Sequence, residues 1–397
     1  MIPVLYKTSV TPWQWGTFLR DLVSCTVTEE LNGNYILEAV LPASSPAYQD
    51  LDVGGVIEAK CRNSAIKVSN SFTSGDVQYF RIYYIGRPIN GKVTIKAEHQ
   101  ARYTIKNTII LPGAAASSFS SLPKIVPATG VDLDMPVYFT SSIGFFPARK
   151  VPIPLIDYME GTEDSIVDNR YGCNFLYDAK HPAPEGGAMP RTQITVPCIY
   201  KRGITSRYEV RYGVNMSDFL HEIDDSSQIC GVFPYYYTEP SSDEETATYI
   251  APTNAVYDTS SRTGKVVILD VTQEFSDSET LPTVAQITAK ATEWLELCDD
   301  KAPKINIKVN FVPVYAAAGR GGTIPKEVKA WLDAATLNVG DTINVIHDRL
   351  GITAKARINS IVYDVLKDRV TTMEVGDAKP RLPKTLAAVF KKTGVRK

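Results

Sequence analysis

"VQYFRIYYIGRPINGKVTIKAEH" occupies residues 77–99, and its reading sets the class of the fold. On one arm Phe80, Ile82 and Tyr84 alternate with Arg81 and Tyr83. On the other arm Val93, Ile95 and Ala97 alternate with polar neighbours. A period of two belongs to a strand with one buried face. Between the arms stands Asn90-Gly91, a pair that accepts the positive φ angles of a tight turn. The stretch predicts a β-hairpin.

Upstream, "GNYILEAVLPAS" (33–44) and "VGGVIEAKC" (53–61) carry the same alternation, so residues 1–105 read as β-rich. Residues 106–190 change character: they are Pro-interrupted and weakly periodic, and end in the loop-like "KHPAPEGGAMPR". "TQITVPCIY" and "SRYEVRYG" (192–213) return to strands, with Tyr208, Val210 and Tyr212 on one face. Within 213–302 lies a helical stripe, Val284, Ile287, Ala291, Trp294 and Cys298, with Pro282 at its first turn. "KINIKVNFV" (304–312) alternates again, and "GRGGTIPKEVKAWLDA" (319–334) supplies a loop and a short helix. The segment 339–376 reads as consecutive antiparallel strands with a tight turn at Leu366–Arg369. A mainly β chain with α+β insertions is expected.

The chain has 397 residues, 44% hydrophobic and 22% charged, enough for two to four domains. A formal net charge of −2 with scattered Lys and Arg argues against general nucleic-acid binding through a basic surface. Six Cys stand far apart, at 25, 61, 173, 198, 230 and 298, without a CxxC pair. Buried free thiols are expected, not a disulfide framework or zinc ribbon. "MIPVLYKTSVTPW" lacks the pattern of a signal peptide. No apolar run approaches ~18 residues, so no membrane-spanning helix is expected.

The stretch that raises the question of chemistry is "GVNMSDFLHEIDD" (213–225). His221-Glu222 resembles half of a zinc-peptidase helix. The second His one turn on is Asp225 instead, so the two imidazoles such a metal needs are missing. Met216, Phe219, Leu220 and Ile223 follow i, i+3, i+4, i+7, with Asn215 as N-cap and Asp218 in the first turn, so an amphipathic helix with solvated His221 and Glu222 is expected.

The remaining candidates are as bland. The other His residues, His99, His181 and His347, form no ligand pattern, and neither a G-x-S-x-G elbow nor a P-loop occurs. Asp132 and Asp134 in "VDLDMP" lack the rest of a calcium loop and read as a polar turn. Asp157, Glu160, Glu163 and Asp164 read as solvated carboxylates, and "SSDEET" (241–246) as a hydrated loop tip. "PYYYTEP" (234–240) reads first as sheet packing and second as a platform for a sugar or partner. No catalytic, cofactor-binding or metal-binding residue is assigned, no cofactor is expected, and the chain is read as a non-enzyme.

An ordered series of segments resembles the baseplate-hub family of tailed bacteriophages, the N-terminal structural part of tail-associated lysins and prophage endopeptidase tail proteins. The series is "VTEELNGNYILEAVLP" (27–42), "VGGVIEAKC", "YFRIYYIGRPINGKVTIKAEHQARY" (79–103), "IVDNRYGCNFLYD" (166–178), "YKRGITSRYEVRYGVNMSDFLHEID" (200–224) and "LNVGDTINVIHDRLGITAKARINSIVYDVLKDRVTTMEVGD" (337–377). Each motif is loose; their order covers nearly the whole chain. The resemblance implies two tail-tube-like β-barrel modules, 1–105 and 191–212 with 303–378. Between them would lie an inserted domain at 106–190 and an inserted α+β domain at 213–302, with a basic C-terminal tail at 379–397. It also implies a homotrimer whose six modules form a pseudo-sixfold ring. That ring would match a distal tail protein hexamer, with the tape measure protein and a receptor-binding protein, fibre or spike as further partners. Phage DNA would pass through the channel only, and the chain would sit at the virion tail tip. Many relatives continue into a lytic or fibre region; none is expected after "PRLPKTLAAVFKKTGVRK", so cell-wall cleavage is not carried over, and the basic tail is expected to dock a separate protein. The competing readings are a tail-associated peptidoglycan hydrolase and a host receptor-binding adhesin.

Overall fold

In the computed structural model, Val77–Ile85 pairs antiparallel with Lys92–His99, as the alternation demands. Asn90 (φ 51°) and Gly91 (φ 72°) take the positive angles of the turn. Ile89 and Lys92 exchange backbone hydrogen bonds of 2.9 and 3.0 Å. Phe80 and Ile82 point inward and are buried. The expected inward Tyr84 is not: the register shifts between Ile82 and Tyr84, and this bulge leaves Tyr83 and Tyr84 both exposed.

The structure describes residues 1–7, 16–62, 65–126, 131–138, 146–160, 165–167, 173–180, 192–213, 216–224, 228–238, 247–258, 264–275, 280–297, 304–311, 337–350 and 352–376. The fold is mainly β. The chain divides into two compact units, Met1–Leu220 with Lys308–Lys397, and His221–Ile307.

The first unit is built on one large sheet. Its N-terminal strands are β1 (Val4–Tyr6), β2 (Thr17–Phe18), β3 (Ser24–Glu30), β4 (Tyr35–Pro42), β5 (Val56–Lys60), the small pair β6 (Ile66–Lys67) and β7 (Thr73–Ser74), β8 (Val77–Ile85) and β9 (Lys92–His99). The sheet order is β2-β1-β5-β8-β9-β4-β3, followed by the long strand Ile352–Asp364 and then Arg369–Gly376. β3 pairs antiparallel with the long strand, Thr28 opposite Val362, so the two ends of the chain share one ladder. The long strand also pairs with Thr342–His347, which pairs parallel with Thr205–Arg211. Alternation fills the interior: Cys25 and Val27 from β3, Tyr35, Leu37, Ala39 and Leu41 from β4, and Val93, Ile95 and Ala97 from β9 are all buried. Helix α1 (Gln100–Lys106) follows β9 directly, capped where His99 Nδ1 accepts from the Ala101 N–H at 3.2 Å. Strands Thr192–Thr195 and Cys198–Ile199 pair parallel with Val131–Asp134 and Val137–Tyr138.

Among the described residues, the second unit carries a four-stranded sheet under the helix Val284–Leu297. Its central strand, Ile229–Thr238, pairs antiparallel with Thr248–Ile250 and Val256–Tyr257, and parallel with Lys265–Asp270. The helix Val284–Leu297 starts at a capping box: Gln286 N–H donates to Thr283 Oγ1 at 3.3 Å, and the Thr283 N–H donates to Gln286 Oε1 at 2.8 Å. Its buried stripe is Ile287, Ala291 and Leu295. Val284, expected on that stripe, is exposed, and Cys298 lies outside the described residues. Ile229, Val232, Ala291 and Leu295 form one core cluster, and Tyr236, Val271 and Ile287 a second.

The helix expected over 213–225 is not there: Met216–Asp224 is a strand. The spacing of Met216, Phe219, Leu220 and Ile223 suits a helix, but its sheet neighbour Lys304–Phe311 lies far along the chain, and tertiary pairing outweighs a local stripe. No helix among the described residues is long and apolar enough to cross a membrane.

Candidate functional site

An extended network of buried polar groups lies inside the first unit. Glu29 continues the inward face of β3 after Cys25 and Val27, so its carboxylate enters the interior. Two guanidiniums meet it: Arg202 Nη2 at 2.5 Å and Arg62 Nη2 at 3.6 Å. Burial pushes the Glu29 carboxyl up, but Arg202 and Arg62 outweigh it and hold the group below the usual carboxylate range. Arg62 also donates to Tyr35 OH at 2.9 Å and to Ser74 Oγ at 3.2 Å. Ser74 and Gln78 both donate to Asp178 Oδ1 at 2.9 Å. Gln78 Oε1 in turn accepts from the Ala179 N–H and faces His99 Nε2 at 2.9 Å. A third guanidinium, Arg102, donates to Glu160 Oε1 at 2.9 Å and Tyr177 OH at 2.8 Å. Two of the guanidiniums, Arg62 and Arg202, therefore share Glu29, and Arg102 takes Glu160, while Asp178 is held by the neutral donors Ser74 and Gln78. All six charged groups are nearly sealed from solvent. The network ties Asn174–Lys180 and Arg202 to the face of the large sheet. Opposite charges stand together in it, as a buried ionic cluster needs.

The sequence candidates fall into place around it. His99 is fully buried and stacked on Tyr35 at 4.5 Å. Because Nδ1 takes the Ala101 N–H, Nε2 carries the proton that Gln78 Oε1 accepts, and the ring is neutral. Burial, then Arg62 and Arg102, hold its pKa well below the ordinary imidazole value. His347 is buried and stacks on Tyr212 at 4.2 Å. His181, Glu163, Asp164 and the run 241–246 lie outside the described residues, as does the side chain of His221. Glu160, expected as a solvated carboxylate, is buried on Arg102 instead. Asp132 and Asp134, expected in a turn, are the exposed positions of the strand Val131–Asp134.

The Cys residues at 25, 61, 173, 198 and 230 are buried free thiols. Burial, with Asp364 adding to it, pushes the Cys25 thiol up to about 12, and burial likewise raises Cys61 and Cys198. A thiol held protonated is a poor nucleophile. Among the described residues no group of three or more His, Cys, Asp or Glu could hold a metal ion.

Large apolar side chains are also exposed. In the first unit Tyr83, Tyr84 and Ile89 are exposed on and beside the hairpin, and Tyr200 and Ile204 on the loop beyond Cys198–Ile199. That loop borders a cleft of about 300 Å³ lined by Lys67, Lys201, Arg202 and Asp341. In the second unit the register sorts the tyrosines of "PYYYTEP". Tyr236 faces the helix, while Tyr235 and Tyr237 alternate onto the opposite face. Tyr249, opposite Tyr237, joins that outer face, as do Tyr257, opposite Gly231, and Ile268, opposite Phe233. Sequence reading missed these three, because only the register of separate strands brings them together.

No protein-family model matches the chain, and no curated protein matches it. Solved structures do. Prophage tail protein gp18 from Listeria monocytogenes EGD-e is 13% identical over 100% of both chains, with a TM-score of 0.47. The 43 kDa tail protein of prophage MuSo2 from Shewanella oneidensis is 10% identical over 94% of this chain and 98% of that one, with a TM-score of 0.48. A tail protein from Neisseria meningitidis MC58 is 8% identical over 96% and 98%, with a TM-score of 0.45.

Proposed function

We propose that this chain is a structural protein of a phage-type tail tip: a trimeric hub that joins the distal tail protein hexamer and tail tube to a receptor-binding or piercing apparatus, and closes the channel until DNA passes. The observation that carries the reading is the ladder between β3 and Ile352–Asp364. Through it, segments that resemble the hub family at both ends of the sequence meet in one sheet. The exposed apolar residues of the first unit suit a chain that is finished by neighbours in an assembly. The sealed ionic network and the buried, protonated thiols suit a scaffold, so the chain is read as a non-enzyme.

In this reading 1–105 and 191–212 with 303–378 are the two tail-tube-like modules. The segments 106–190 and 213–302 are insertions, and 379–397 docks the next tail protein. The tape measure protein enters from the tube side. The test is absolute mass by light scattering, alone and with a phage distal tail protein. Three copies of the 43.7 kDa chain give about 131 kDa alone, or add that mass to the distal ring. A monomer that ignores the distal protein, together with clearing of a cell-wall zymogram, would replace the hub by the hydrolase reading.

A further inference from the structure

The outer face of the second unit's sheet has a composition that a solvent-facing sheet does not need. Opposite the helix, strand alternation would be served by polar residues. Here Ile268 is 75% exposed, Tyr249 61% and Tyr257 56%, with Val266 beside them and Phe233 and Tyr235 half-buried between. The rings offer flat surfaces. Tyr235 and Tyr249 stack at 27° with centroids 6.2 Å apart. Tyr257 lies over Gly231: a Cβ built there would stand 2.9 Å from its ring. The face follows the central strand from Gly231 to Tyr237, roughly 20 Å at the rise of a β-strand. Its polar groups are hydroxyl tips and one held carboxylate. Asp270 Oδ2 accepts from Tyr235 OH at 3.1 Å, and Asp270 Oδ1 accepts from the Thr272 N–H at 2.9 Å. Lys265, the one basic residue of these paired strands, is in phase with the core-facing Val267 and Leu269 and opposite buried Ile229, not on this face.

We propose that this face binds a neutral polysaccharide chain laid along the central strand. The chemistry is complementary on both counts. Pyranose rings present C–H faces that lie flat on tyrosine, while their hydroxyls meet the tyrosine tips and the Asp270 carboxylate. A carboxylate with almost no cation beside it repels polyanions, which sets aside nucleic acid and acidic wall polymers. The proposal does not rest on the tail-tip reading, and either stands if the other fails.

The test is native affinity electrophoresis of the whole protein through gels containing dextran, glucomannan or glycol chitin, with a polyglutamate gel as control. The protein is expected to be retarded in at least one polysaccharide gel and not by polyglutamate. Tyr249→Ala and Tyr257→Ala, both at exposed positions, are expected to abolish the retardation without shifting the thermal midpoint. Free mobility in all three gels would overturn the proposal, as would retardation that both variants keep. A concentration-dependent dimer lost in Ile268→Asp would also overturn it and assign the face to a second copy of the chain.

Discussion

Replacing Glu29 by Gln would leave the guanidiniums of Arg62 and Arg202 facing a neutral amide inside the first unit. Removing one partner of a buried ionic cluster costs about 3–5 kcal/mol, because the charge left behind is neither solvated nor balanced. Glu29→Gln is therefore expected to lower the stability measured by urea unfolding by that order. His99 acts through pH. Its folded imidazole is held neutral by burial and by Arg62 and Arg102, while an unfolded chain takes the proton near ~6.5. Below that value the unfolded state binds more protons, so stability falls as pH drops. The contribution of Glu29 is present above the ordinary carboxylate range and is lost only at lower pH, as its own depressed pKa is reached. Stability should be flat only between about pH 7 and 8. Above roughly 8.5 it declines, because unfolded thiols lose the proton that buried Cys25, Cys61 and Cys198 keep. It also declines from roughly 6.5 downward, by up to ~1.4 kcal/mol per pH unit for one such group. In His99→Gln the first part of that decline should flatten, as urea midpoints across pH would read.

At the scale of elements, two glycines separate backbone strain from crowding. Gly91 has φ +72° and nothing within 4 Å of an added Cβ. Gly203 has φ +93°, and an added Cβ would overlap the Gly340 carbonyl. Gly91→Ala should cost about 1–2 kcal/mol, the price of a left-handed L-residue. Gly203→Ala should cost clearly more, since the loop carrying Arg202 must also move; denaturant unfolding of the two variants gives the comparison. The same contrast explains what the sequence made legible. The Asn90-Gly91 hairpin was readable because turn chemistry and alternation sit in one local stretch. Met216–Asp224 was not, because its apolar spacing fits a helix and its strand neighbour is remote in sequence. Tyr84 was misplaced by a bulge that no residue type announces. The inward direction of Glu29 could be read from its phase with Cys25 and Val27, but its partner Arg202, 173 residues away, could not.

Over the whole molecule, the mainly β class followed from pattern alone, while the split into Met1–Leu220 with Lys308–Lys397, and His221–Ile307, came from pairings the pattern does not encode. The aromatic outer face shows the same limit: "PYYYTEP" pointed to the central strand, yet Tyr249, Tyr257 and Ile268 joined it only through register. The ladder between β3 and Ile352–Asp364 has a further consequence, for synthesis. At ribosomal rates of ~5–20 residues per second, β3 waits about 20–60 s for its partner to be made. Throughout that interval the Thr26, Val27 and Thr28 backbone is an open edge, the kind that invites pairing with another nascent chain. A chain built this way completes its fold only once its C-terminal strands have left the ribosome, so truncated translation products should be found in aggregates and not in assemblies.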